Sequence, residues 1–126
     1  MRIKITWPSG EATAELRDTS SARAVWEALP VESRAQTWGD EVYFDIGLDL
    51  QLEPDAVEVV DAGAICYWPP GSALAIPFGA TPASRGDECR LASAANVLGQ
   101  LTGDARALAT VGGGETIRVE RTGPAV

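Results

Sequence analysis

A chain of 126 residues suits one domain burying roughly two-thirds of the surface its unfolded form exposes, and residues 1–126 are expected to form a single unit. With 18 acidic and 10 basic residues the net charge is -8, which disfavours nucleic acid and anionic membrane surfaces. The absence of histidine excludes Ser-His-Asp and Cys-His nucleophiles and imidazole zinc sites. No apolar run reaches the roughly 18 residues of a membrane span, and Cys66 and Cys89 lack a C-x-x-C spacing, so the expectation is a cytoplasmic protein with two reduced structural thiols, no metal and no cofactor.

Arg2 to Trp7 alternates, with Ile3, Ile5 and Trp7 on one face and Arg2, Lys4 and Thr6 on the other, the period-2 signature of a half-buried strand. Pro8-Ser9-Gly10 turns the chain into a second alternating run, Glu11 to Leu16, which predicts a hairpin. Asp18-Thr19-Ser20-Ser21 supplies capping oxygens before Ala22, Val25, Trp26 and Leu29, which share one helical face. Pro30 ends this helix, whose Trp26 is expected in the core over an open barrel end.

Val31 to Thr37 reads as a weaker strand carrying Arg34. Trp38-Gly39-Asp40 then turns into Glu41 to Ile46, where Val42, Phe44 and Ile46 face one way and Glu41, Tyr43 and Asp45 the other. Ala56 to Val60 is a short strand. It leads into two nearly continuous apolar runs, Ala64 to Trp68 and Ala73 to Phe78, joined by Pro-Pro-Gly and closed by Gly-Ala-Thr-Pro. Ala83 to Glu88 is a surface loop by composition, Asn96 to Leu101 a strand, and Asp104 caps a short helix through Leu108. Gly112-Gly113-Gly114 then leads to a closing strand, Glu115 to Arg121. About eight strands with two short helices predict a closed, mainly antiparallel eight-stranded β-barrel.

Trp38-Gly39-Asp40-Glu41-Val42-Tyr43-Phe44, Gly63-x-Ile65-x-Tyr67-Trp68-Pro69-x-Gly71 and Ile76-x-Phe78-Gly79-x-Thr81-Pro82 together resemble a small prokaryotic family of cyclophilin-like domains of unknown function. The resemblance spans nearly the whole chain and implies a cyclophilin-like barrel with a helix over one end and no settled activity. Prolyl isomerases of that fold carry a Phe-Met-Gln-type strand motif and usually a histidine, and this chain has neither, so their activity does not carry over to its residues.

Glu41 and Asp45 lie about 13 Å apart along one strand, further than glycosidase carboxylates, and read as a solvated face; Glu41 beside Arg34 or Arg90 reads as an ion pair. Tyr67 and Trp68 are adjacent and so face opposite ways, which puts one of them on the outer surface near Tyr43 and the Gly79–Pro82 loop. The favoured function is a binding module for a small molecule or peptide in an aromatic groove, with no catalytic residue. The candidate site residues are Arg34, Trp38, Glu41, Tyr43, Tyr67, Trp68, Phe78, Thr81 and Arg90, and Arg85 is a further source of charge. The alternatives are a diverged peptidyl-prolyl isomerase and a homo-oligomeric assembly protein that buries the aromatic patch between subunits.

Overall fold

The computed structural model describes residues 1–122. The strands are β1 (Arg2–Trp7), β2 (Gly10–Leu16), β3 (Val31–Arg34), β4 (Gln36–Thr37), β5 (Glu41–Asp45), β6 (Val57–Val60), β7 (Ala64–Trp68), β8 (Ala73–Pro77), β9 (Cys89–Leu101) and β10 (Thr116–Thr122). They are accompanied by one α-helix, α1 (Ser20–Ala28), and two 3-10 helices, at Pro69–Gly71 and Ala105–Thr110. Among the described residues no helix is long and apolar enough to cross a membrane.

All strand pairs are antiparallel, and hydrogen-bonded neighbours run β3-β10-β1-β2-β9-β7-β8-β5-β4, with β6 added alongside β9. The expected closed barrel of eight strands is therefore corrected: the described residues form ten strands, and the order ends at β3 on one side and β4 on the other. The reason lies in the segment expected as one strand, Val31 to Thr37, which breaks at the fully buried Ala35. Its first half pairs with β10 and its second with β5. At the break, Ala35 N–H donates to the Glu115 carbonyl (2.8 Å) and the Ala35 carbonyl accepts from Gly114 N–H (2.7 Å), so no backbone group is stranded there.

The alternation read in β1 holds: Ile3, Ile5 and Trp7 are buried, and they join Leu16, Phe44, Tyr67, Leu74, Ile76, Leu98, Ile117 and Val119 in the main core. Thr19 caps α1 by accepting from Ala22 N–H at 3.1 Å, and the helix lays Ala22 and Val25 onto that core. Trp26 is corrected from core to half-buried. Its outer face carries the Arg121 guanidinium, 4.9 Å from the ring centroid, and Arg121 Nε donates to the Trp26 carbonyl at 3.0 Å. Asp104 caps the 3-10 helix at Ala105–Thr110 by accepting from Arg106 N–H at 2.9 Å.

The largest departure from expectation is β9, which runs 13 residues from Cys89 rather than starting at Asn96. Its first half is rich in alanine and serine, poor strand formers, and takes its conformation from pairing with β6. Cys89, expected in a polar stretch, is buried. This half of β9 lies over the outer side of the β7-β8 pair, where Ala64, Cys66, Ala75, Leu91 and Ala95 form a second, smaller core.

Candidate functional site

The outward positions of β5, β8 and β7 fall into rows fixed by strand register. Tyr43, Ala75 and Cys66 lie side by side in one row, flanked by Asp45, Ala73 and Trp68 on one side and by Glu41 and Pro77 on the other. The middle of this surface is built from small residues, while rings stand at its margins. Covering it with Leu91 and Ala92 of β9 leaves a cavity of about 90 Å³ lined by Trp38, Glu41, Tyr43, Trp68, Ala75, Leu91 and Ala92.

The rings are held from several directions. Tyr67 and Trp68 face opposite ways as the alternation requires: Tyr67 is fully buried and Trp68 is the half-buried outward one. The Trp68 indole N–H donates to Ser93 Oγ at 2.8 Å, which ties the ring to β9. Tyr43 meets Trp68 edge to face, with centroids 6.4 Å apart and planes at 70°. Trp38 enters from the β4-β5 turn, where its N–H donates to the Glu41 carbonyl at 3.0 Å.

That turn is fixed by the loop after β8. Gly39 has φ +60, and a Cβ there would lie 2.9 Å from the Ala80 carbonyl oxygen and Thr81 Cα, so only glycine allows the two segments to touch. Asp40 N–H donates to the Ala80 carbonyl (2.9 Å), and Phe78 N–H donates to the Asp40 carbonyl (2.8 Å). The Gly79–Pro82 loop thus sets where Trp38 and Glu41 stand without lining the cavity itself.

Glu41 is the unusual group. Its residue is 5 % exposed, its Oε1 is buried with no hydrogen-bond partner, and no cationic side chain pairs with it among the described residues. Burial without compensation pushes its carboxyl up to about 7. Burial, and next the nearby Glu41 carboxylate, push the Cys66 thiol up to about 12. The reading of Glu41 and Asp45 as one solvated face is corrected: Asp45 is exposed and accepts from Gly47 N–H at 2.7 Å, whereas Glu41 is buried and lines the cavity together with Leu91 and Ala92 of β9.

The structure brings four of the nine candidates, Trp38, Glu41, Tyr43 and Trp68, around one cavity and places the other five elsewhere. Arg34 Nη1 donates to the Gly114 carbonyl at 3.1 Å, and Arg90 pairs with Glu88 at 2.6 Å and with Glu58 at 4.0 Å, so the expected ion pair to Glu41 is absent. Tyr67 uses its hydroxyl within the fold, donating to the Leu48 carbonyl (2.6 Å) and accepting from Leu50 N–H (3.0 Å). Phe78 belongs to the main core, with the Arg106 guanidinium 5.3 Å from its ring centroid.

Thr81 is buried. Its hydroxyl donates to the Arg90 carbonyl and accepts from Ala83 N–H at 3.2 Å, so the expected place for it beside the aromatic cavity is corrected to a corner that pins the loop to β9. Leu91 and Ala92 were not expected in the lining. For Leu91 the one signal was the odd-numbered spacing of Cys89, Leu91 and Ala95, which is weak because the register of β9 shifts within this stretch, and for Ala92 there was none.

Comparison with known proteins agrees with this architecture. The model of the Cyclophilin-like family matches residues 1–120. A solution structure of a hypothetical protein from Archaeoglobus fulgidus superposes with a TM-score of 0.81 at 38 % identity, covering 97 % of this chain and 95 % of that one. No curated protein matches the chain. A family match along almost the whole length, and a solved relative sharing over a third of its residues, establish that the chain belongs to the cyclophilin-like family.

Proposed function

We propose that this domain is a small-molecule-binding module whose site is the cavity between the outer face of β5-β8-β7 and the first half of β9. The observation that carries the proposal is Glu41, a carboxyl 5 % exposed and unpaired on the wall of a cavity lined by three aromatic rings. A protein gains no stability from burying such a group, so its placement is a cost offset by something other than folding. The volume of about 90 Å³ suits one compact head group rather than a length of peptide.

Prolyl isomerase activity is not part of this reading. The chain has no histidine and no Phe-Met-Gln stretch, and Arg34 and Arg90 are both engaged away from the cavity.

The test is a fragment screen followed by nuclear magnetic resonance on the wild type and on Ala92→Trp, which fills the cavity from its exposed rim. Fragments that shift the Trp38 and Trp68 indole N–H signals in the wild type should lose their effect in the variant, and X-Pro peptides should isomerise at the uncatalysed rate with either protein. Hits that are indifferent to Ala92→Trp would refute the assignment of the cavity.

A further inference from the structure

Resting on that reading, we infer that the ligand of the cavity is an organic cation, an alkylated ammonium group held between the Trp38, Tyr43 and Trp68 rings with the Glu41 carboxylate as its counter-charge.

Three observations converge on a positive ligand. First, Glu41 has no partner: among the described residues every arginine and lysine contact to a carboxylate is made elsewhere, and Oε1 is sealed from water. A buried carboxylate without a counter-ion is costly, and a cation brought in from outside relieves that cost most fully, whereas a neutral ligand relieves it only through the hydrogen bonds that it donates and an anion adds to it. Second, the remaining walls are rings and methyl groups. Tyr43 and Trp68 stand edge to face, 6.4 Å between centroids, with Trp38 opening onto the same space. Aromatic faces attract a weakly hydrated alkylammonium more than a strongly hydrated ion, since little hydration is lost on entry. Third, the chain carries a net charge of -8, so its field concentrates cations and depletes anions near the cavity mouth.

The neighbouring titratable groups do not supply the missing charge. Cys66 on β7 and Cys89 at the start of β9 are the thiols within reach of the Glu41 field, and burial keeps both neutral. Arg90 is the closest arginine in sequence to the lining residues of β9, and its guanidinium is taken by Glu88 and Glu58. Asp40, next to Glu41 in the chain, is directed to Arg106 at 3.1 Å.

The experiment titrates the full chain with choline chloride against matched sodium chloride, and with the carbon isostere of choline in which the quaternary nitrogen is replaced by carbon. Shape and apolar area are then held constant while the charge is removed. Binding is read from the Trp38 and Trp68 indole N–H signals in the wild type, Glu41→Gln and Ala92→Trp. Choline should bind at least about tenfold more tightly than the isostere. Glu41→Gln should remove that preference while leaving the isostere affinity unchanged, and Ala92→Trp should abolish both.

Equal binding of choline and isostere, both lost in Ala92→Trp, would keep the cavity as a binding site and overturn its assignment to cations. If neither compound shifts the indole signals, the cation assignment likewise fails, and the fragment screen alone then decides whether the cavity binds anything.

Discussion

Replacing Glu41 by glutamine is expected to stabilise the protein above neutral pH and to leave it nearly unchanged in mild acid. In the fold the carboxyl titrates at about 7, against 4.5 when exposed, because burial disfavours its charged form. Between those values the folded chain holds a proton that the unfolded chain has released, so stability falls as pH rises from about 4.5 to about 7 and is flat above. At 1.36 kcal/mol for each pH unit the whole span costs about 3 kcal/mol, of which about 2.5 kcal/mol falls between pH 5 and pH 8. Glutamine has nearly the same shape and no proton to lose. The difference in unfolding free energy between variant and wild type should therefore grow by about 2.5 kcal/mol over that interval, roughly 10 °C in Tm for a chain of this size. Urea unfolding of both proteins at several pH values measures it, and the comparison cancels the exposed carboxylates common to both. A difference that stays constant from pH 5 to pH 8 would refute the reasoning, since it would mean that Glu41 ionises as it does in water.

Trp26→Ala should cost about 1–2 kcal/mol in denaturant unfolding, less than a fully buried tryptophan, because only one side of the ring meets the core and Arg121 covers the other. A loss above about 4 kcal/mol would show that the helix is held by this ring after all. Thr81→Val should lower stability by about 1–2 kcal/mol by removing the hydroxyl that joins the loop to the Arg90 carbonyl, with the cavity's affinity for a bound fragment unchanged. A tenfold weaker affinity in the folded variant would instead place Thr81 in the site.

The elements that were legible in the sequence are those whose residues alternate cleanly or carry a turn signal. Ile3, Ile5 and Trp7 announced β1, and the runs on either side of Pro69-Pro70-Gly71 announced β7 and β8. Opposed facing of Tyr67 and Trp68 followed from strand geometry alone, but which of the two is inward depended on the register of β7 with β8, and that register is a long-range property. The number of strands was misjudged for a similar reason: nothing local to Val31–Thr37 says that its halves belong to opposite ends of the sheet.

The site was half legible. The aromatic residues stood out by type, and Glu41 and Tyr43 were assigned to one face correctly. The burial of Glu41 was not foreseeable, because the cavity it lines is completed by Leu91 and Ala92, some 50 residues later, in a stretch whose alanines and serines resemble a loop. Arg34, Arg90 and Thr81 were chosen for their chemistry, and each turns out to satisfy a backbone carbonyl or a neighbouring carboxylate. Polar groups near a site are more often spent on architecture than on a ligand.

The pairing of β10 between β1 and β3 also dictates when this protein can fold during its synthesis. β1 pairs on one edge with β2, which follows it directly in the chain, yet its other edge must wait for Thr116–Thr122, as must the whole of β3. Until β10 is made, the nascent chain therefore displays two unpaired strand edges with Ile3, Ile5 and Val31 beside them, the kind of surface that invites association between neighbouring chains. A ribosome stalled before Thr116 would release a product with both edges open. Yield in recombinant expression is accordingly expected to depend on how soon β10 pairs, and so on growth temperature, more than on changes to the core.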